Sequence, residues 1–191
     1  AAQDFVWKSG QNMKVVCDTT EAPVVKVALD LLKRDCRSVL SGNISRSENT
    51  GNIYVGTWGE SSVLQALAET RQLDVALLNE HKEAFLLNVL PDGRLIVAGS
   101  DKRGTAYGVL ELSRMMGVSP WEWWADAVPE KKEELRLPAG FRKLDYPQVA
   151  YRGIFINDED WGLTPWSWKH YEPSERKGQI GPKTHARIFE L

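Results

Sequence analysis

The run Tyr151-Arg-Gly-Ile-Phe-Ile-Asn-Asp-Glu-Asp-Trp-Gly162 limits the fold more than any other part of the chain. Its apolar centre, Gly153 to Ile156, stops abruptly at Asn157, Asp158, Glu159 and Asp160. A short continuous apolar run fits a strand buried on both faces, as in the parallel sheet of an α/β barrel. Acidic groups at the carboxyl end of such a strand stand where barrel enzymes build their sites. A strand over 149–156 is therefore expected, opening into the aromatic segment Trp161, Trp166, Trp168, His170 and Tyr171. The chain ends at Leu191. That leaves room only for the first strand and a truncated first helix of a (β/α)8 barrel.

Ahead of this segment, strand and helix signals alternate up to about residue 116. Lys14-Val-Val-Cys17 and Asn52-Ile-Tyr-Val-Gly56 read as strands. Between them Val24, Val25, Ala28, Leu31, Leu32 and Val39 recur at helical spacing over 21–40, with Pro23 in the first turn, where it is tolerated, and Gly42 as the stop. A helix is expected from Ser61 to Thr70, with Ser61 or Ser62 as its N-cap. Two runs, 84–90 and 94–98, flank Pro91-Asp-Gly93 as a hairpin. A further helix covers 101–116 and is closed by Gly117 and Pro120. The βα alternation implies parallel neighbours and the hairpin adds an antiparallel pair, so the expected fold is α/β, a mixed sheet with packed helices.

From Val118 to Pro147 the periodicity is lost, apart from the short run Glu134-Leu-Arg-Leu137, and four prolines punctuate the segment. It reads as an ordered connector, which places an N-terminal α/β domain at 1–146 and the start of the barrel at 147–191. Past the acidic cluster, 162–182 reads as a long aromatic loop, and Thr184 as the N-cap of a helix over 185–191.

Composition excludes some function classes. The net charge of −2 offers no electrostatic case for nucleic acid or an anionic membrane. No apolar stretch approaches the roughly 18–20 residues of a membrane span. The N-terminus lacks the basic and apolar regions of a signal peptide, while its small residues also fit a mature end left after signal cleavage. Cys17 and Cys36 are expected as buried free thiols; a disulfide would need Cα atoms within about 7 Å. With no His cluster beside them they form no zinc site, and no metal is expected.

Three sets of residues could carry chemistry. Gly99-Ser-Asp-Lys-Arg-Gly-Thr-Ala-Tyr-Gly108 joins a strand to a helix, as anion-binding loops do, but its spacing fits neither dinucleotide nor P-loop patterns. A tight turn, with Asp101 as cap and glycines allowing close packing, accounts for it. Trp121-Glu-Trp-Trp124 offers aromatic faces that could stack on sugars or pack an interdomain core. Six of the eight Trp fall between Trp121 and Trp168. The acidic cluster is the third set, because glycosidic hydrolysis requires paired carboxylates.

These three motifs, in this order, resemble the N-terminal region of the glycoside hydrolase family 115 xylan α-1,2-glucuronidases; the acidic-Trp ending is similar, more distantly, to the family 67 α-glucuronidases. The resemblance runs from about Lys14 to the end. It implies a multidomain, secreted or periplasmic enzyme that removes α-1,2-linked glucuronic acid or its 4-O-methyl ether from glucuronoxylan or its oligosaccharides. The route would be inverting, with no cofactor, and a homodimer of the full-length protein stays open. On this resemblance Asn157 and Asp158 contact the sugar, with Asp158 the catalytic candidate and Glu159 and Trp161 as further substrate-binding residues. Strand alternation ranks Glu159 and Asp160 below the other two. The remaining carboxylates would come from later barrel strands, so the 191 residues alone are expected to be inactive. The opposing reading is a non-catalytic carbohydrate-binding or interaction module with the Trp121–Trp124 cluster as its platform.

Overall fold

The structure is a computed structural model describing residues 1–157, 161–173 and 177–191. It divides into two compact units. Ala1–Ser119 and Val128–Gln148 form the first, and Pro120–Ala127 with Val149–Leu191 form the second.

The first unit runs β1 (Phe5–Lys8), β2 (Asn12–Cys17), α1 (Pro23–Leu40), β3 (Asn43–Ser47), β4 (Ile53–Thr57), α2 (Ser62–Glu69), α3 (Ala76–Glu80), β5 (Phe85–Val89), β6 (Leu95–Gly99), α4 (Lys102–Met115), β7 (Glu134–Leu137) and β8 (Arg142–Asp145). Six strands make one mixed sheet in the order β3-β2-β4-β6-β5-β8, and β1 pairs with β7 in an antiparallel ribbon. Strands β3, β2, β4 and β6 are parallel, while β5 runs antiparallel to both β6 and β8. The expected mixed sheet with packed helices is thus observed, hairpin included. Ser61 N-caps α2 by accepting the Leu64 N–H, and Asp101 caps α4 through Arg103 and Gly104.

Because successive strand residues face opposite sides, adjacent valines serve different layers. Val15 joins the core with Leu32, Val39, Leu87, Val97, Val109 and Leu112, on the side of α1 and α4. Val16 joins Tyr54, Leu64, Leu86 and Ile96 on the side of α2. Each fully buried Leu or Val contributes about 1.5–3 kcal/mol, so two filled faces supply the main driving force for this unit. Trp7 is 0% exposed, and its indole N–H donates to the Gln11 carbonyl at 3.2 Å, which offsets the cost of burying a polar group. Cys17 and Cys36 are buried and free, as expected. Burial pushes both thiols up to about 11, with the Glu21 carboxylate adding to the shift at Cys17.

The second unit departs from the sequence reading in three places. Residues 151–157 carry no strand. No strand among the described residues lies beside them to take their backbone hydrogen bonds, and Tyr151 and Phe155 stand 97% and 88% exposed. The segment read as an aromatic loop holds a short helix, α5 (Leu163–Trp166), that runs on into a π-helical turn, Ser167–Tyr171. The last helix, α6, spans Pro182–Phe189 with Gly181 as its N-cap residue; Thr184 lies buried inside it instead of capping it. Proline at the first helical position explains the earlier start, because its fixed φ suits that site and its missing N–H costs nothing there.

Candidate functional site

Of the residues expected to form the site, Asn157 is exposed after the unpaired segment and Trp161 is 84% exposed. Asp158, Glu159 and Asp160 lie outside the described residues. What the second unit does assemble is an aromatic cluster beside a capped helix end. Trp123 meets Trp124 edge-on at 4.8 Å and Tyr171 at 5.0 Å, and Trp166 stacks on Tyr171 at 5.1 Å with rings 10° apart. The Arg187 guanidinium stands 4.9 Å from the centre of the Trp123 ring, a cation–π contact, and the Trp124 indole donates to the Arg187 carbonyl at 3.1 Å. A hydrogen bond with Tyr171 raises the Arg187 pKa further, so this cation is permanent. Trp123 is therefore a packing residue whose surroundings are aromatic rings and a guanidinium, which argues against an open sugar platform at that ring.

Beneath the cluster is a polar knot that the sequence reading missed. The Glu172 carboxylate accepts the Lys183 N–H at 2.9 Å and the Thr184 N–H at 3.1 Å, at the amino end of α6. Ser167, fully buried, shares a hydrogen bond of 2.8 Å with the Thr184 hydroxyl and accepts the Gly181 N–H at 3.1 Å. A negative charge at this helix end meets unpaired N–H groups and the positive end of the helix dipole. Burial works to raise the Glu172 carboxyl, but the Thr184 and Lys183 amides and the two hydroxyls outweigh it and hold it below the usual Glu range. Nothing in the spacing of Glu172 to Thr184 announced this, because the cap comes from ten residues upstream of the helix and not from the residue before it.

The sign of the resulting pH dependence follows from that depressed value. Glu172 stabilises the second unit fully above the ordinary Glu pKa of about 4.3, and the contribution is lost as pH falls through the lower folded value. Six of the eight Trp report on this unit. The urea midpoint followed by Trp emission is expected to drop between pH 7 and pH 3.5, and Glu172→Gln is expected to lower it at pH 7 and flatten the change. An equal pH response in wild type and variant would rule out this role.

In the first unit the carboxyl ends of β4 and β6, at the centre of the sheet where open α/β sheets usually take ligands, are closed by the unit's own side chains. Buried Glu21 accepts the Thr57 N–H at 3.1 Å and the Thr57 hydroxyl at 2.6 Å, and Thr57 and Thr105 share a hydrogen bond of 2.7 Å. The Gly99–Gly108 junction packs as tightly: a Cβ on Gly99 would overlap Thr105, and one on Gly104 would overlap the Ala84 backbone. The junction is thus a packing device with Asp101 as its cap. Among the described residues no group of three His, Cys, Asp or Glu side chains could hold a metal ion, and no helix is long and apolar enough to cross a membrane.

The sequence model of glycosyl hydrolase family 115 matches residues 144–191. No curated protein matches the chain. Among solved structures the chain is similar to BtGH115A, a family GH115 4-O-methyl-α-glucuronidase with specificity for decorated arabinogalactans. Identity is 58%, covering 97% of this chain and 24% of that one, with a TM-score of 0.92. A second similar structure, CpGH84D, shares 15% identity over 76% of this chain and 22% of its own, with a TM-score of 0.52, and shows likeness of fold alone. The chain spans about a quarter of the length of BtGH115A. With 58% identity kept over 97% of its residues, the chain belongs to glycosyl hydrolase family 115.

Proposed function

We propose that the chain serves as the N-terminal α/β domain, 1–146, and the start of a catalytic barrel, 147–191, in an α-glucuronidase that removes glucuronic acid or 4-O-methylglucuronic acid from a plant polysaccharide. The observation that carries this reading is the 58% identity to a 4-O-methyl-α-glucuronidase over nearly the whole chain. Asp158 would hydrogen-bond the sugar or position the attacking water, and Asn157 would hold a hydroxyl, with Glu159 and Trp161 at the rim. An inverting route needs two carboxyl groups roughly 6.5–9.5 Å apart, so the partners of Asp158 come from strands beyond this chain, and the 191 residues by themselves are inactive. A polymeric substrate places the enzyme outside the cytoplasm, secreted or periplasmic.

Two polymers compete as the substrate. The sequence motifs resemble xylan α-1,2-glucuronidases, whereas BtGH115A has specificity for decorated arabinogalactans. A full-length protein incubated with glucuronoxylan and with an arabinogalactan is expected to release the uronic acid from at least one, and the relative rates decide between them. Proton NMR of the first product should show the β-anomer. Release from neither polymer would remove the proposal, and the α-anomer as first product would remove the inverting route.

A further inference from the structure

The turn after α2 holds an arginine in a backbone conformation that arginine does not favour. Arg71 sits at φ 56°, in the left-handed region. Its N–H bonds to the Ala68 carbonyl at 2.9 Å and the Gln72 N–H to the Leu67 carbonyl at 2.9 Å, a helix closure in which the left-handed position usually belongs to glycine. The guanidinium is exposed and has no hydrogen bond or ion pair among the described residues.

Arg71 does line a depression of about 390 Å³ with Gln72, Asn88, Asp92, Arg94 and the buried Leu90. This volume lies within the range of small-molecule pockets and holds a single sugar ring. Arg94 is fixed there: Asp92 accepts from its Nε at 2.7 Å, Gln72 accepts from Nη2 at 3.4 Å, and the guanidinium lies 5.2 Å from the centre of the Tyr54 ring. Asp92 thus has its charge engaged by Arg94, leaving Arg71 as a fork of donors without a counter-charge among the described residues. A planar guanidinium matches a carboxylate with two parallel hydrogen bonds.

We infer that this depression binds the carboxylate of a uronic acid residue, with Arg71 taking the carboxylate and Asn88, Gln72 and Asp92 bonding the ring hydroxyls. It would hold a uronate branch of the polymer apart from the barrel, and it rests on the function proposed above, which supplies a substrate carrying such branches. The single charge of a uronate suits a rim that includes Asp92 better than a phosphate dianion, which that carboxylate would repel. Sugar hydroxyls also suit the two amides, which offer both donors and acceptors.

The test uses the 191-residue chain, titrated with sodium glucuronate, methyl β-xyloside and inorganic phosphate while the amide NMR signals of Arg71, Asn88 and Arg94 are followed. Glucuronate is expected to give saturable shifts with a dissociation constant on the order of millimolar, as befits a one-sugar ligand. The neutral xyloside is expected to give none, and Arg71→Gly to weaken glucuronate binding about tenfold or more. Glycine accepts the left-handed backbone, so this variant should melt no lower than wild type, and lost binding then cannot be blamed on unfolding. Absence of saturable glucuronate shifts, unchanged affinity in Arg71→Gly, or tighter binding of phosphate than of glucuronate would overturn the inference. Each of these leaves the proposed activity intact, because release of uronic acid from polymer by a full-length protein is measured separately.

Discussion

Gly104→Val is expected to destabilise the first unit by about 3 kcal/mol or more, a large part of the roughly 5–15 kcal/mol that holds a domain folded. Gly104 lies in the first turn of α4, and its α-carbon faces the backbone of Ala84, just ahead of β5. The Ala84 carbonyl accepts the Ser100 N–H at 2.9 Å, while the Ala84 N–H donates to the Ser100 hydroxyl at 2.9 Å. A side chain at position 104 must push that backbone away, and both hydrogen bonds go with it. No rotamer escapes the clash, because it is made by the β-carbon itself. Valine also stiffens the first turn, where the Gly104 N–H donates to the Asp101 cap at 2.9 Å. Lys102→Ala, at an exposed position in the same turn, is the matched control and should change stability by less than about 0.5 kcal/mol. Urea unfolding followed by far-ultraviolet circular dichroism compares the three chains, and equal midpoints for Gly104→Val and wild type would contradict the packing argument.

The largest functional effect is expected at Asp158. In a full-length protein, Asp158→Ala should reduce the release of methylglucuronic acid about a hundredfold or more, the usual range when a general acid, a base or a water-positioning carboxylate is lost. The loss should fall on kcat, because a group that acts on the water contributes chiefly in the transition state. Asn157→Ala should instead raise KM more than it lowers kcat, as expected of a side chain that holds a hydroxyl throughout. Glu159→Ala should do less than Asp158→Ala, because a rim residue that only contacts the sugar contributes less to the transition state than a group that acts on the water. Wild-type turnover in Asp158→Ala would remove it from the site, and equal losses at Asp158 and Glu159 would remove this division of roles.

Legibility in the sequence tracked burial. Strands β2, β4, β5 and β6 were readable because each is buried enough to carry a concentrated apolar run, and α1, α2 and α4 because one face of each is apolar at helical spacing. The missed elements lie at margins. Asn43-Ile-Ser-Arg-Ser47 and Arg142-Lys-Leu-Asp145 are the two edge strands, and their polar composition matches loops. Strand β1 was missed although Phe5 and Trp7 are buried, because four residues are too few for an alternation to stand out. In the second unit the error went the other way. The apolar run 153–156 promised a buried strand, but burial needs partners on both sides, and the described residues provide none. The three motifs that identified the family divide in the same manner. The glycine junction is explained by close packing and the Trp cluster by an aromatic cluster around Arg187, leaving the acidic run as the member that still points to chemistry.

The assignment of 120–127 to the second unit bears on how this protein can be dissected. The chain leaves the first unit after Ser119, contributes those eight residues to the second, and returns at Val128 to add β7 and β8 before leaving again after Gln148. No single backbone cut can therefore yield the two units as separate chains. A truncation at 148 would retain the full sheet but strip Trp123 and Trp124 of Trp166, Tyr171 and Arg187, leaving two large aromatic side chains without the partners they have in the whole chain. A soluble first unit would need 120–127 replaced by a short polar linker, and a second unit made alone would need that segment supplied as a separate peptide.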